Sequence, residues 1–357
     1  MANDTNPLIN IDFHIPFDLI RAEHVRPAMA ELLRQSRERL EALASLEEPL
    51  TWENTMAALD GLTEPLDRAM SVVRHLEAVA TYPELRAAHN DVEPEVSAFY
   101  SGIPLNEGLW RNIKRYAGTE GARALEGARR RFLEKTMDAF RRHGADLDAA
   151  GKARLKEIDV ELAVATTKFS ENVLDATNAW DLVLTDEAKL AGLPAMAVAM
   201  ARQSAAQKGL EGWRFTLQAP SYMAVMTYLD DAAIRRDVYH AYSVRASGGQ
   251  HDNRTLVARI LELRRQRAEL LGYRDFADLV LEDRMAHNGE RAQAFIEELR
   301  RKTEAHFERE NRELEEFRRE IEGPGAPRIE PWDVAYYAEK MRRALYDFDE
   351  EELRPYF

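Results

Sequence analysis

The sequence predicts a mostly α-helical protein, a multi-helix array with one small antiparallel β element. Three observations predict this fold class. Apolar residues recur at every third or fourth position over most of the chain. Residues that favour helix ends, such as Asn, Asp, Ser, Thr and Gly, stand at the borders of those periodic stretches. Only two short stretches, both in the middle of the chain, alternate in the manner of strands.

The first half of the chain shows helical periodicity with few interruptions. Thr51 is placed to cap the second helix, and Gly144 follows a cationic last turn at the end of the fourth. Before residue 179 we predict five helices, over residues 25–43, 52–73, 84–100, 120–143 and 148–177.

The β element is predicted from residues 179–185 (AWDLVLT) and 212–219 (GWRFTLQA), which are short, begin near a tryptophan and alternate. A helix over residues 194–208 fits between them. We therefore expect an antiparallel pair with a helical excursion instead of a tight hairpin.

Helices resume after the β element and bring the expected total to about ten. Ser221 is predicted to cap a short helix, and Asp230 or Asp231 the next. Asn253 opens a helix that Gly272 ends, Asp275 opens another to about Met285, and Asn288 opens the longest, over 290–321. Three regions are expected: a helical region over 1–178, the β element with its excursion over 179–220, and a second helical region over 221–357, which leads into a missing catalytic region.

Composition and charge exclude several function classes. Lys and Arg total 49 against 63 Asp and Glu, and the net charge of −14 disfavours a nucleic-acid partner. The most basic stripe includes Arg129, Arg130 and Arg131, but acidic residues share its helix, so we interpret it as a solvated face. No apolar run is long enough to predict a membrane span. The absence of cysteine excludes disulfides and agrees with a cytoplasmic location.

The histidine pattern offers no metal site. None of the nine histidines is followed by glutamate, so the chain contains no His-Glu-x-x-His. His306 with Glu310 is interpreted as a solvated salt-bridging pair, and Asp237 with His240 as capping and packing. We therefore assign no catalytic and no metal-binding residue.

Several stretches resemble one known family. They are ENVLDATNAW (171–180), GLEGWRFTL (209–217), YSVRAS (242–247), ILELR (260–264), EPWDVAYY (330–337) and LRPYF (353–357). Together, and in this order, they resemble the N-terminal part of the zinc-dependent oligopeptidases of the thimet oligopeptidase and oligopeptidase A family.

The resemblance implies a zinc metallo-endopeptidase that hydrolyses short peptides in a deep channel between two mostly helical halves. The zinc ligands of that family lie downstream of the matching region, so zinc would belong to the complete parent protein. We expect this chain to bind no zinc and to be inactive alone. The alternative is a stand-alone, non-catalytic helical scaffold that binds peptides or a protein partner.

Aromatic and cationic residues near the matching stretches are the candidates for lining the substrate channel. For each of them the alternative is core packing with the polar tip satisfied. The candidates are Tyr222, Tyr228, Tyr239, Tyr242, Arg245, Trp332, Tyr336 and Tyr337.

The final 13 residues are unusually apolar. We expect them to lie exposed, disordered or against another molecule, and in the parent to pack on the missing half; the alternative is that they fold back onto the helix near Asp333. The residues are Leu345, Tyr346, Phe348, Leu353, Pro355, Tyr356 and Phe357.

Overall fold

The computed structural model describes residues 6–47, 49–346 and 356. Its packing divides the chain into two compact units, Met1–Lys156 and Glu157–Phe357. The described residues are mostly helical and contain one two-stranded antiparallel sheet, which confirms the predicted fold class. The three regions expected from the sequence, 1–178, 179–220 and 221–357, stay a prediction.

All regular elements of the first unit are helices in the part that the structure describes. A π-helical turn, Trp52–Ala57, precedes the second helix, and a short 3-10 turn, Ile103–Leu105, follows the fourth. The α-helices are α1 (Ala22–Ala44), α2 (Ala58–Asp60), α3 (Glu64–Ala80), α4 (Pro83–Gly102), α5 (Glu107–Ala117), α6 (Glu120–Arg123), α7 (Gly127–Arg142) and α8 (Ala149–Asn178), which ends in the second unit.

Two helices predicted as continuous are interrupted, and these predictions were wrong. The stretch 52–73 breaks after α2 at Gly61, and α3 begins anew with Pro65 in its first turn, where the missing proline N–H costs nothing. The stretch 120–143 breaks between α6 and α7, where Gly127 has a positive φ of 54°. Helix α5 was missed.

The first unit has two buried clusters. Helices α1, α3 and α4 meet around Met29, Met70 and Val96, which are almost fully buried. Helices α5 and α7 meet where the rings of Trp110 and Phe140 stack at 5.5 Å. Burying a side chain of this size stabilises a fold by roughly 1.5–3 kcal/mol, so these apolar faces account for the helix pairing.

The second unit contains the sheet and seven further helices that begin within it. Short 3-10 turns lie at Glu187–Leu190 and Gly249–His251. The elements are β1 (Asp181–Leu184), α9 (Ala195–Gln207), β2 (Trp213–Thr216), α10 (Ala219–Tyr228), α11 (Ala232–Ser243), α12 (Arg254–Leu270), α13 (Phe276–Leu281), α14 (Gly289–Glu322) and α15 (Val334–Tyr346).

The two strands pair as the alternation predicts. Asp181 lies opposite Thr216 and Leu184 opposite Trp213, with α9 as the helical excursion between the strands. Gly212 has a φ of 95° at the entry to β2, and a Cβ there would stand 2.2 Å from the Leu184 carbonyl oxygen. Only glycine fits this close approach.

Most predicted helix starts are confirmed, and the cap at Ser221 was wrong. Asp231, Asp275 and Asn288 accept hydrogen bonds from the first turns of α11, α13 and α14. Helix α10 starts before Ser221, whose hydroxyl instead accepts from the Thr216 N–H at 2.9 Å. Asn253 stands directly before the first residue of α12, as predicted, and its buried side chain makes no capping hydrogen bond.

The described residues form fifteen α-helices instead of about ten, in part because two predicted helices are divided and α5 was not predicted. At the C-terminus Leu345, Tyr346 and Tyr356 are 60%, 74% and 81% exposed. Phe348, Leu353, Pro355 and Phe357 lie outside the described residues, so the expectation about them stays a prediction.

Candidate functional site

Six of the eight predicted channel residues fall into two groups within the second unit. We call Tyr222, Tyr239, Tyr242 and Arg245, from α10, α11 and the turn after α11, the tyrosine–arginine stack. A second group, which we call the buried ion network, consists of the more exposed Glu322 and five buried residues, Arg235, Arg318, Asp333, Tyr336 and Tyr337. The structure thus separates residues that the sequence analysis treated alike.

The core of the tyrosine–arginine stack is a layered arrangement of three planar groups. The rings of Tyr222 and Tyr242 lie 3.9 Å apart at 21°, and the Arg245 guanidinium carbon lies 3.4 Å from the Tyr242 ring centre. Two groups this close cannot share one face of a ring, so Tyr242 lies between Tyr222 and Arg245. Stacking and the cation–π contact each favour this order.

Arg245 is held by neutral partners. Its Nε donates to the Tyr242 carbonyl oxygen at 2.9 Å, and its Nη1 donates to the Thr177 hydroxyl at 3.2 Å. Thr177 is buried near the end of α8 and donates in turn to the Val173 carbonyl. Across the described residues no carboxylate pairs with Arg245.

The tyrosine hydroxyls of the stack are unengaged. Within the described part of the chain, those of Tyr222, Tyr239 and Tyr242 make no hydrogen bond, and none is a buried unpaired atom. Burial raises the pKa of Tyr222, the neighbouring Tyr242 and Tyr239 raise this pKa further, and Arg245 opposes them. A tyrosine hydroxyl can both donate and accept a hydrogen bond, so these three side chains are able to bind polar groups of a ligand.

The loop that follows Arg245 is anchored to α8 at its far end. Asn172 on α8 donates to the Asn253 Oδ1 at 2.8 Å, and Asn253 donates back to the Phe169 carbonyl at 3.0 Å. Thr177 holds the near end through Arg245. Asn172 and Thr177 belong to the ENVLDAT stretch, so the motif positions the stack instead of forming it.

The buried ion network joins α11, α14 and the start of α15. Arg235 Nη2 donates to Asp333 Oδ1 at 2.6 Å, and Arg318 Nη1 donates to Asp333 Oδ2 at 3.2 Å. All three residues are buried. The sequence analysis missed Arg235 and Arg318; the only available signal was the position of Asp333 in the EPWD stretch.

The hydroxyls of Tyr336 and Tyr337 are engaged inside the fold. Tyr336 donates to Asp230 Oδ1 at 2.6 Å, and Tyr337 donates to Glu322. Burial, followed by the hydrogen bond to Glu322, raises the pKa of Tyr337. Both side chains are buried, and this arrangement matches the packing alternative for these residues. A channel role for them stays a prediction.

Trp332 and Tyr228 complete the set of candidates. Half-buried Trp332 lies 6.0 Å from the Tyr239 ring and 5.4 Å from the His240 ring, so it borders the tyrosine–arginine stack. Tyr228, at the end of α10, lies under the Arg343 guanidinium at 5.5 Å instead.

The described residues do not fit a zinc ion. Nowhere among them do three His, Cys, Asp or Glu side chains come together in a way that could hold a metal. His306 Nδ1 lies 2.9 Å from Arg309 Nη2, and Asp237 accepts from Arg236 at 3.0 Å. One member of each pair, His306 and Asp237, therefore contacts an arginine.

No helix in the described ranges is both long enough and apolar enough to cross a membrane.

The chain is similar to known peptidases. The family described as Peptidase family M3 matches residues 225–357, and the one described as Neurolysin/Thimet oligopeptidase, N-terminal domain, matches residues 29–152. Oligopeptidase A of Haemophilus influenzae is 36% identical over 360 residues, 99% of this chain and 52% of that protein.

Other relatives agree. The probable cytosolic oligopeptidase A of Arabidopsis thaliana is 35% identical over 99% of this chain and 51% of its own length. The dipeptidyl carboxypeptidase of Escherichia coli is 32% identical over 96% of this chain and 50% of its own length. The chain spans about half the length of these relatives. It belongs to the thimet oligopeptidase and oligopeptidase A family, within peptidase family M3.

Proposed function

We propose that this chain is the N-terminal part of a zinc metallo-endopeptidase that hydrolyses short peptides. The observation that carries the proposal is the 36% identity to an oligopeptidase A over 99% of the chain. Residues outside this chain would hold the zinc, and the chain alone would be inactive. A cytoplasmic location is part of the proposal, supported by the absence of cysteine and by a relative named as cytosolic.

The share of this chain in the proposed activity is a peptide-binding surface, the tyrosine–arginine stack. Half-buried rings with unengaged hydroxyls suit an extended peptide, since the rings pack on its side chains and the hydroxyls bond its amides. Arg245 adds a positive charge to this surface.

Fluorescence anisotropy of a short fluorescein-labelled peptide tests the binding surface. We expect saturable binding to the 357-residue chain and weaker binding to Tyr222→Ala. Tyr228→Ala is the matched control, because Tyr228 lies on the same helix outside the stack. This variant should bind the peptide as tightly as the unsubstituted chain does. An absence of saturable binding would contradict this part of the proposal.

Metal analysis and a peptidase assay test the catalytic part. After dialysis we expect no stoichiometric zinc and no hydrolysis of a quenched fluorescent peptide by the isolated chain. Stoichiometric zinc, or hydrolysis that a chelator abolishes, would show that this chain carries the chemistry itself.

Reading the gene beyond the codon for Phe357 separates the parent peptidase from a stand-alone scaffold. An in-frame continuation with His-Glu-x-x-His supports the peptidase. A stop codon at that point would favour a non-catalytic scaffold that binds peptides or a protein partner.

A further inference from the structure

We propose that Arg245 binds a carboxylate of the bound peptide, with Thr177 and Tyr242 positioning its guanidinium. The inference rests on the proposed function, because it assigns a ligand group to one residue of the peptide-binding surface.

The charge of Arg245 is not balanced by any carboxylate among the described residues. Arginine stays protonated at all relevant pH values, and a partly buried charge without a counterion is unfavourable. Two other half-buried arginines of this unit have carboxylate partners: Arg214 pairs with Asp181 at 2.7 Å, and Arg267 with Asp159 at 2.8 Å. Arg245 is half-buried and, in the described ranges, has only neutral acceptors. An anionic ligand would supply the missing charge.

The Arg245 guanidinium has N–H groups that are free to bind a ligand. A guanidinium has five N–H groups. Arg245 uses one on Nε and one on Nη1, so three remain, one on Nη1 and two on Nη2. Adjacent N–H groups on the two terminal nitrogens are the pair that a carboxylate accepts in bidentate fashion.

The Arg245 guanidinium is preorganised for binding. Stacking on Tyr242, the bond to the Tyr242 carbonyl and the bond to Thr177 hold the guanidinium in one plane before any ligand binds. Thr177 is itself fixed by its bond to Val173. Immobilising a long side chain opposes binding, so a group that is already ordered gains affinity.

The experiment uses the full chain and one short peptide sequence labelled with fluorescein at its N-terminus. Four versions combine a free or an amidated C-terminus with Glu or Gln at one internal position. The two possible sources of the carboxylate, the peptide terminus and an acidic side chain, are thereby varied separately. We expect a free carboxylate to improve the dissociation constant about tenfold, which corresponds to about 1.4 kcal/mol.

Variants of Arg245 assign the effect. Arg245→Gln should remove the preference for the carboxylate, so that the versions with and without a free carboxylate bind this variant with equal affinity. Arg245→Lys should restore part of the preference, since it keeps the charge and loses the bidentate geometry. Thr177→Val should reduce the preference without abolishing binding. Arg236→Gln is the control, because Arg236 is exposed on α11 and pairs with Asp237. Circular dichroism checks that each variant folds.

The outcomes are distinct. A carboxylate preference that Arg245→Gln abolishes supports the inference, and the version that shows it identifies the source. Equal affinity for all four versions, or a preference that survives Arg245→Gln, overturns the inference and leaves peptide binding intact. A failure of every version to bind overturns the proposed peptide-binding surface, and the role of Arg245 with it.

Discussion

Arg235 and Asp333 form a hydrogen-bonded ion pair of 2.6 Å inside the second unit, although 98 positions separate them in the chain. The Arg235 side chain is 1% exposed and that of Asp333 is 4% exposed. Arg235 also donates to the Leu229 and Asp230 carbonyls, at 2.7 and 3.0 Å. The pair thus ties the start of α15 to the turn between α10 and α11, the same two helices that carry three residues of the tyrosine–arginine stack.

Asp333→Asn is predicted to destabilise the second unit strongly. The substitution leaves two buried arginines, Arg235 and Arg318, without their shared counterion. Removing one partner of a buried ion pair costs about 3–5 kcal/mol. Urea denaturation followed by tryptophan fluorescence measures the free energy of unfolding. Asp237→Asn, which breaks the exposed pair with Arg236, should cost about 1 kcal/mol or less. Equal effects of both substitutions would contradict the assigned role of Asp333.

Gly212→Ala is predicted to disturb the strand pair more than Gly209→Ala does. Both glycines have positive φ, 95° and 67°, and an alanine pays about 1–2 kcal/mol for that conformation. At Gly209 a Cβ meets nothing within 4 Å, whereas at Gly212 it would stand 2.2 Å from the Leu184 carbonyl oxygen. The comparison of unfolding free energies isolates the steric contact, and indistinguishable values would argue against the close approach.

Tyr336→Phe and Tyr239→Phe are predicted to differ in stability although both remove one hydroxyl. The Tyr336 hydroxyl donates to Asp230 at 2.6 Å, and a hydrogen bond to a charged group contributes about 1.5–3 kcal/mol. Partial exposure of Asp230 places the expected loss near the lower end, at about 1.5 kcal/mol. The Tyr239 hydroxyl has no partner among the described residues, so Tyr239→Phe should leave the melting temperature unchanged. The anisotropy assay with the same variant measures separately whether this hydroxyl contributes to peptide affinity.

Glu322→Gln is predicted to flatten the loss of stability in acid. Burial acts to raise the pKa of Glu322, but the hydrogen bonds from Tyr337 and Arg318 outweigh it and lower the pKa in the folded state. The stabilisation from this carboxylate is therefore present above the unfolded-state pKa of about 4.3 and is lost as pH falls through the lower folded-state pKa.

Urea midpoints measured between about pH 6 and pH 3 test this prediction. The unsubstituted chain should lose stability below about pH 4.3 more steeply than Glu322→Gln does. Glu320 is an exposed neighbour on α14, and Glu320→Gln should show the same pH dependence of the urea midpoint as the unsubstituted chain. If the urea midpoints of the unsubstituted chain and of Glu322→Gln fall in parallel with pH, another group dominates the acid transition.

Much of the fold could be predicted from local patterns. The ends of α8 and α14, the two strands and the helix between them followed from periodicity and from capping residues. The breaks at Gly61 and before Gly127 were missed, because apolar spacing continues across both of them. Helix α5 was missed although Leu109, Trp110, Ile113 and Tyr116 form a clear apolar face on it.

The candidate site could be predicted only in part. Eight channel residues were predicted from the sequence, among them Tyr222, Tyr239, Tyr242 and Arg245. The sequence did not indicate which of the eight meet in the folded chain. Ring stacking between Tyr222 and Tyr242 depends on how α10 packs on α11. The partner of Arg245, Thr177, lies 68 positions earlier in the chain.

The sequence by itself determined the fold class, the family and the absence of a His-Glu-x-x-His, since each depends on residues close together in the chain or matched in order. The tertiary structure alone decided which polar tips are satisfied. It paired Arg235 with Asp333 and Tyr336 with Asp230, and it left Arg245 with neutral partners. The physical reason is that periodicity and capping act over a few residues, whereas the balance of a buried charge is set by side chains that only folding brings within hydrogen-bonding distance.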